Sequence, residues 1–298
     1  MAFDTSYLYY RAFFGVPLTM KGPDGAPNNA VRGLLEAITR LIDQYSPDLV
    51  ACAWDDDWRP AWRTALLPQY KANRLVEGGG AGNVEQTPDE LEPQVPTIRA
   101  VLELLGIPVV GVPGYEADDV LASLAARHDG PSLVVSGDRD LFQLVDARTK
   151  VVYVARSVAK HILVDEAWVR AQYGIPADRY VDFAVLRGDP SDGLPGVRGI
   201  GEKSAAKLVL GHPSLDSLIA AALAGGGDLG PSLGRSLAGS ADYIDRAVQV
   251  VRTVADLPVG SPARLPLAIE PETLTHLRDG LGLGGAATRI VTALSSAR

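Results

Sequence analysis

Gly114-Tyr115-Glu116-Ala117-Asp118-Asp119-Val120 places three carboxylates within four residues. The stretch follows an apolar run with turn residues, Ile107 to Gly114. It precedes a helical pattern of Val120, Leu121, Leu124 and Ala125. The acids therefore fall in the first turn of a helix. One or two acids there are ordinary, because the positive end of the helix dipole favours them. Three together repel one another unless a cation offsets the charge. The meaning of the stretch depends on how many further acids the chain brings to it.

The flanking pattern brings several. Met1 to Asp4 reads as the end of a short strand, and Leu49 to Trp54 as a buried strand running into Asp55. Ser132 to Val135 reads as a strand ending in Ser136-Gly137-Asp138-Arg139-Asp140, with further strands at Ile107 to Val112 and Val151 to Val154. Helical spacing lies between them, at Ser6 to Phe14, Val31 to Tyr45 and Glu90 to Leu105. Strand and helix in alternation predict a parallel α/β sheet. Ligands of such sheets sit off the carboxyl ends of the strands. Asp4, Asp55 and Asp138 occupy that place on three strands, and Glu116 to Asp119 follow a fourth.

From about Asp165 the chain becomes helical. Helices are expected at Glu166 to Tyr173, Tyr180 to Leu186, Ser204 to Leu210, Leu215 to Leu223 and Tyr243 to Val254, then at Thr273 to Gly280 and Ala286 to Leu294. Gly225 to Gly230 reads as a flexible turn. The loop after Leu186 adds Asp189 and Asp192.

Asp4, Asp55, Glu116, Asp118, Asp119, Asp138, Asp140, Asp189 and Asp192 make nine oxygen donors, with no His or Cys at ligand spacing. All-oxygen ligation selects hard cations, Mg²⁺ or Mn²⁺. Nine carboxylates exceed what one Mg²⁺ takes, so two or three ions are implied. Two ions about 3.5–4 Å apart stabilise the attacking and leaving oxygens of a phosphodiester. Without metal, some of these acids should hold their protons unusually tightly. Lys71 and Arg74, in Tyr70-Lys71-Ala72-Asn73-Arg74, are three apart and would share a helix face. In isolation they read as a solvated pair; beside an acid-metal site they become a phosphate clamp, with Arg11 of the same kind. Tyr70 reads either as core or as a stacking surface for a base. Gly199-Ile200-Gly201 opens a helix that carries Lys203, Ser204 and Lys207. Glycines let a backbone approach a phosphate at a helix N-terminus, although alone such a turn is more often a connection.

The chain has 298 residues and a net charge of −8, which at first argues against nucleic acid. Setting the nine acids aside leaves the remainder close to neutral, so the concentrated acids decide the number. No apolar run reaches membrane length and no secretory signal opens the chain. Cys52 is the single cysteine and reads as a small core residue. These features lead us to expect a protein of the reducing cytoplasm.

Tyr9 to Phe14, Tyr70 to Arg74, Gly114 to Asp119, Ser136 to Asp140 and Gly188 to Lys207 together resemble the 5′–3′ exonuclease and flap endonuclease family. This nuclease also forms the N-terminal domain of bacterial DNA polymerase I. The resemblance runs in order over about residues 1–254, and no polymerase portion follows. It implies a PIN-like α/β nuclease core with a parallel central sheet over 1–165, including a helical arch at about 70–96. It also implies a helix–three-turn–helix DNA-binding region over 166–265 and a C-terminal helical segment, 266–298, packing back on the core. A first metal cluster would match Asp4, Asp55, Glu116 and Asp118, and a second Asp119, Asp138, Asp140, Asp189 and Asp192. Lys71, Arg74, Arg11 and Tyr70 would serve catalysis. Gly199, Gly201, Lys203, Ser204 and Lys207 would grip duplex DNA, with K⁺ at the hairpin. The implied activity is multi-metal hydrolysis of DNA at 5′ flaps and 5′ ends in replication and repair, by a monomer working with a DNA polymerase. A PIN-type ribonuclease and a non-catalytic junction binder are the alternatives. Two features depart from the family pattern. The first strand is short, so that either the true start lies upstream or the strand is trimmed here, and the arch centre Glu77 to Asn83 is glycine-rich and lacks basic residues. That arch is expected to be mobile without DNA.

Overall fold

The computed structural model describes residues 1–75, 85–225 and 229–296. The glycine-rich stretch 77–83 and residues 226–228 of the expected turn lie outside them. Strands β1 (Ala2–Asp4), β2 (Leu49–Ala53), β3 (Val109–Val110), β4 (Ser132–Ser136), β5 (Thr149–Tyr153) and β6 (Ile162–Val164) form one sheet in the order β3-β2-β1-β4-β5-β6. All neighbours are parallel except β6, which runs antiparallel to β5. A short β7 (Ala263–Arg264) pairs antiparallel with the start of β2. The chain moves outward from β1 to β3 and then returns to β1's other side as β4. The order reverses beside β1, and in such sheets the binding crevice lies outside the carboxyl ends at that point.

Apolar residues of alternating direction bury both faces of the sheet. Val134 and Val151 enter one core, and their neighbours Val135 and Val152 enter the other. The second core holds α1 (Thr5–Gly15) and α2 (Asn29–Tyr45), whose Val31, Leu34, Leu35, Ile38, Leu41 and Ile42 are all buried as their spacing predicts. Cys52 is buried in it too, and burial pushes its thiol up to about 12. A short α3 (Ala61–Leu66) follows β2, and α4 (Gln94–Leu104) precedes β3. The predicted start of α4 at Glu90 moves to Gln94 because 88–93 form a turn with Pro93 at its end. Gln94 is buried and ties α4 to α2, donating to Asn29 Oδ1 at 3.0 Å and accepting from Ala30 N at 2.9 Å.

The first core holds α5 (Ala117–Arg127) and, beyond the sheet, α6 (Glu166–Tyr173), α7 (Tyr180–Arg187), α8 (Glu202–Gly211), α9 (Leu215–Leu223), α10 (Pro231–Gly239) and α11 (Ala241–Val251). The sequence pattern did not announce α10, β6 or β7. The two strands are too short to show alternation, and α10 contains two glycines. Helix α11 stops at Val251 instead of running to Val254. Backbone N–H groups there leave the helix for side chains elsewhere: Thr253 N donates to Gln143 Oε1 at 3.0 Å and Val254 N to Asp119 Oδ1 at 2.8 Å. The chain closes with α12 (Pro271–Thr275) and α13 (Gly285–Ser296), and α13 packs on α2 in the second core. No helix among the described residues is long and apolar enough to cross a membrane.

Ile38 is fully buried between the sheet and the helices of the second core. Ile38→Ala should cost about 2–5 kcal/mol of unfolding free energy, read from denaturant titration.

Candidate active site

The acids arrive at the crevice from separate elements, and backbone hydrogen bonds fix their places. Asp4 ends β1 and caps α1, accepting from Tyr7 N at 3.1 Å. Its other oxygen accepts from Ser136 Oγ, at the end of β4, at 2.6 Å. Ser136 Oγ accepts in turn from Asp138 N at 3.0 Å, and Asp138 Oδ1 accepts from Asp140 N at 2.8 Å. Asp55, beyond β2, accepts from Ala117 N in the first turn of α5 at 2.8 Å. Ser6 Oγ lies within hydrogen-bonding reach of both Asp4 and Asp55. Two serine hydroxyls, those of Ser6 and Ser136, thus connect β1, β2 and β4 at their carboxyl ends.

Glu116 caps α5 and is 1 % exposed, yet it is heavily paired. Arg63, Lys71 and the Tyr70 hydroxyl all donate to its carboxylate, the last at 2.9 Å. Asp119 completes the cap by accepting from Glu116 N at 3.2 Å, and Arg63 Nη2 pairs with it at 2.7 Å. Burial alone would lower the pKa of Lys71. Glu116 and its acidic neighbours outweigh that and hold the ammonium well above its usual range, so it stays charged.

The 189–193 loop packs against 69–74. Lys71 N donates to the Asp192 carbonyl at 3.0 Å, Asn73 Nδ2 to the Ser191 carbonyl at 3.1 Å, and Arg74 pairs with Asp192 Oδ1 at 2.5 Å. Gly193 allows this approach. Its φ is +72°, and a Cβ there would collide with the Gln69 carbonyl oxygen. Asp189 accepts from Ser191 N at 3.0 Å and lies 3.2 Å from Arg139. Burial raises the pKa of Asp189, but the Ser191 hydrogen bonds, Arg139 and Arg187 outweigh it and hold the carboxyl below the usual range.

Lys71 and Arg74 do not share a helix face. Lys71 sits at φ 50°, before a single 3₁₀ turn at Ala72–Arg74, and the two cations diverge to Glu116 and Asp192. The described part of the expected arch before α4 contains that turn, a Leu75–Glu85 bridge and the 88–93 turn.

The remaining acids bear the cost of proximity. Burial and the nearby Asp55 push Asp4 up to about 7. Burial and Asp138 raise Asp118 and Asp140 well above the ordinary carboxylate range. Asp192 is pushed up to about 6 by burial, with Asp138 adding to the rise. Asp138 thus adds to the rise of all four of these acids. Among the described residues, no three Asp, Glu, His or Cys side chains are set to hold a metal ion as they stand. Several of the acids point at Arg63, Lys71, Arg74 and Arg139 rather than at one another. The donor set nonetheless suits a hard divalent cation: every donor is oxygen, Asp4, Asp118, Asp140 and Asp192 hold their protons tightly, and Asp140 Oδ1 is buried without a partner.

Residues 1–174 match the family described as 5′–3′ exonuclease, N-terminal resolvase-like domain, and residues 175–271 match 5′–3′ exonuclease, C-terminal SAM fold. The chain belongs to the 5′–3′ exonuclease family. A 5′–3′ exonuclease of Streptomyces coelicolor is 48 % identical over 99 % of this chain and 100 % of its own length. One from Mycobacterium tuberculosis is 44 % identical over 98 % and 96 %. The fold is also that of a bacteriophage T5 flap endonuclease crystallised as a pseudo-enzyme-product complex with DNA and metal ions. That structure has a TM-score of 0.61 at 17 % identity, covering 99 % of this chain and 98 % of that one.

Within this exonuclease fold the other sequence candidates lie as follows. Arg11 donates to the backbone carbonyls of Ala155 and Arg156 instead of reaching an acid. Tyr70 is buried and supports Glu116 with its hydroxyl, so it presents no open stacking face. Gly199, Gly201, Lys203 and Lys207 are exposed at the start of α8, and Gly201 N donates to Ser204 Oγ at 2.9 Å. Three participants were not foreseen: Arg63, Ser136 and Ser6. Arg63 carried a signal, being a basic residue within the helical segment Ala61–Leu66 whose side chain lies inward.

Asp4 and Asp192 bind protons in the folded state at pH values where the unfolded chain has released them, so stability is lost as pH rises from about 4 to 7. The metal-free Tm should fall between pH 5 and pH 8. A divalent ion should raise Tm more at pH 8 than at pH 5, as differential scanning fluorimetry with chelator and with Mg²⁺ will show.

Proposed function

We propose that this chain is a structure-specific, metal-dependent 5′ nuclease that hydrolyses DNA phosphodiesters at 5′ flaps and 5′ ends. One observation carries the reading. Carboxylates from the ends of β1, β2 and β4, from the first turn of α5 and from the 189–192 loop gather at one crevice, with Lys71 and Arg74 on its rim. The names of the relatives support the reaction, and the DNA and metal ions of the phage enzyme support the substrate and cofactor.

Asp4, Asp55, Glu116, Asp118, Asp138, Asp140, Asp189 and Asp192 would hold two or three Mg²⁺ or Mn²⁺ ions. Such ions supply an activated water and stabilise the leaving 3′ oxygen. The chain's own work is positional and electrostatic. Lys71 and Arg74 are buried or half-buried cations whose charge is available to the scissile phosphate as it gains negative charge. Arg74 and Asp192 are held beside each other, because the close approach at Gly193 and the Lys71 N–H join 69–74 to the 189–193 loop. The exposed Gly199–Gly201 turn with Lys203 and Lys207 would hold duplex backbone through peptide N–H groups and ammonium charge. A K⁺ ion at this turn, a monomeric state, a cytoplasmic site of action and a DNA polymerase supplying the substrate complete the proposal.

Asp138→Asn tests it. Cleavage of a labelled flap DNA in Mg²⁺ should fall by about 100-fold or more. Binding of the same DNA, measured by fluorescence anisotropy in Ca²⁺, should change little. Cleavage at the wild-type rate would remove Asp138 from the centre of the site.

A further inference from the structure

Arg63 lies on α3 and both terminal nitrogens of its guanidinium are turned to α5, while Nε is buried without a hydrogen-bond partner. Nη1 pairs with Glu116, and Nη2 pairs with Asp119 Oδ1 at 2.7 Å. The side chain is 2 % exposed, and burial leaves it no path to solvent. Asp119 is fully buried, and both of its oxygens are engaged. Oδ1 also accepts from Val254 N at 2.8 Å, and Oδ2 accepts from Glu116 N at 3.2 Å. Asp118 differs sharply. It is half-buried, and among the described residues it makes no hydrogen bond or ion pair. Three acids of one helical turn therefore have three different fates, and one guanidinium touches two of them.

We propose that Arg63 is a positioning residue that divides these acids between fold and chemistry. It fixes Asp119 as a tie between α5 and the chain end of α11, and it holds Glu116 in place while leaving Asp118 to the metal-binding cluster. The inference rests on the reading of that cluster as a divalent-metal site. The division needs a planar fork. A guanidinium presents two donors at a fixed separation and spans two carboxylates at once, whereas an ammonium is a single point of charge. Arg63 also supplies permanent positive charge where no water can, which lets three adjacent acids fold together before any metal arrives. Asp119 is then not a metal ligand, although its neighbours in sequence are.

Three variants test this: Arg63→Lys, Asp119→Asn and Asp118→Asn. Each is measured without DNA, by thermal unfolding in chelator and by calorimetric titration with Mn²⁺, and then in flap cleavage across Mg²⁺ concentrations. Asp119→Asn should lower the metal-free Tm by several °C and keep Mn²⁺ affinity within about threefold of wild type. Asp118→Asn should keep or raise the metal-free Tm, because a crowded acid whose side chain has no partner is replaced by a neutral amide, and weaken Mn²⁺ about tenfold or more. Arg63→Lys should lower Tm and also weaken Mn²⁺ by about tenfold, since Glu116 loses its fixed position. A purely structural Arg63 would shift Tm alone, so wild-type Mn²⁺ affinity in folded Arg63→Lys overturns the proposal. Equal Mn²⁺ losses in Asp119→Asn and Asp118→Asn also overturn it, by making Asp119 a ligand, and that comparison stands if Arg63→Lys does not fold. Absence of Mn²⁺ binding by the wild-type protein would instead remove the metal site itself.

Discussion

Carboxylates crowded at one end of a parallel sheet repel one another, and the fold around β1 is built to withstand that repulsion. Buried in low-dielectric surroundings, each ionised acid raises the energy of its neighbours. The chain answers in two ways. Asp4, Asp118, Asp140 and Asp192 hold their protons beyond the normal range. Glu116, Asp119 and Asp192 are paired with Arg63, Lys71 and Arg74. Breaking such a buried pair by removing one partner leaves an uncompensated charge, which is why these cations matter to folding as well as to chemistry.

The sheet topology decides where this tension is placed. Because the strand order reverses beside β1, the ends of β1 and β4 open onto a common crevice, and Ser136 ties their two acids together. Asp55 reaches the α5 first turn from β2. The 189–193 loop is brought in from the helical half of the chain by contact with 69–74, through a glycine that admits a backbone carbonyl where a side chain would stand. Residues far apart in sequence thus meet without any of them being contributed by a long structured insertion. The same contacts couple the nuclease core to the helices beyond residue 174, since Asp119 and Gln143 both bond to the chain just after α11.

Much of this was legible in the sequence. The apolar runs and helical spacing gave the alternation of β1 to β5 with α1, α2, α4 and α5, and the resemblance to 5′–3′ exonucleases is borne out by the family match over most of the chain. The convergence of the acids was also legible, because strand ends in a parallel sheet share one edge. Three things were not. Period and propensity carry no information on two- and three-residue strands such as β6 and β7. The spacing of Lys71 and Arg74 suggested one helix face, but the left-handed backbone at Lys71 sends them to different acids. Asp118 and Asp119 are the same residue type side by side, and only the tertiary position of Arg63 distinguishes the unpaired carboxylate from the paired one.

We read this crevice as a divalent-metal site assembled from strand-end acids, with Asp138 among its ligands and Asp119 outside it. Anomalous diffraction at the manganese edge, from crystals grown with Mn²⁺, tests it most directly. Anomalous peaks coordinated by the carboxylates of Asp138 and of its neighbours Asp118 and Asp140, with Asp119 still paired to Arg63, are the result expected. Manganese absent from this crevice at saturating concentration, or bound through Asp119 with Arg63 displaced, would contradict the account.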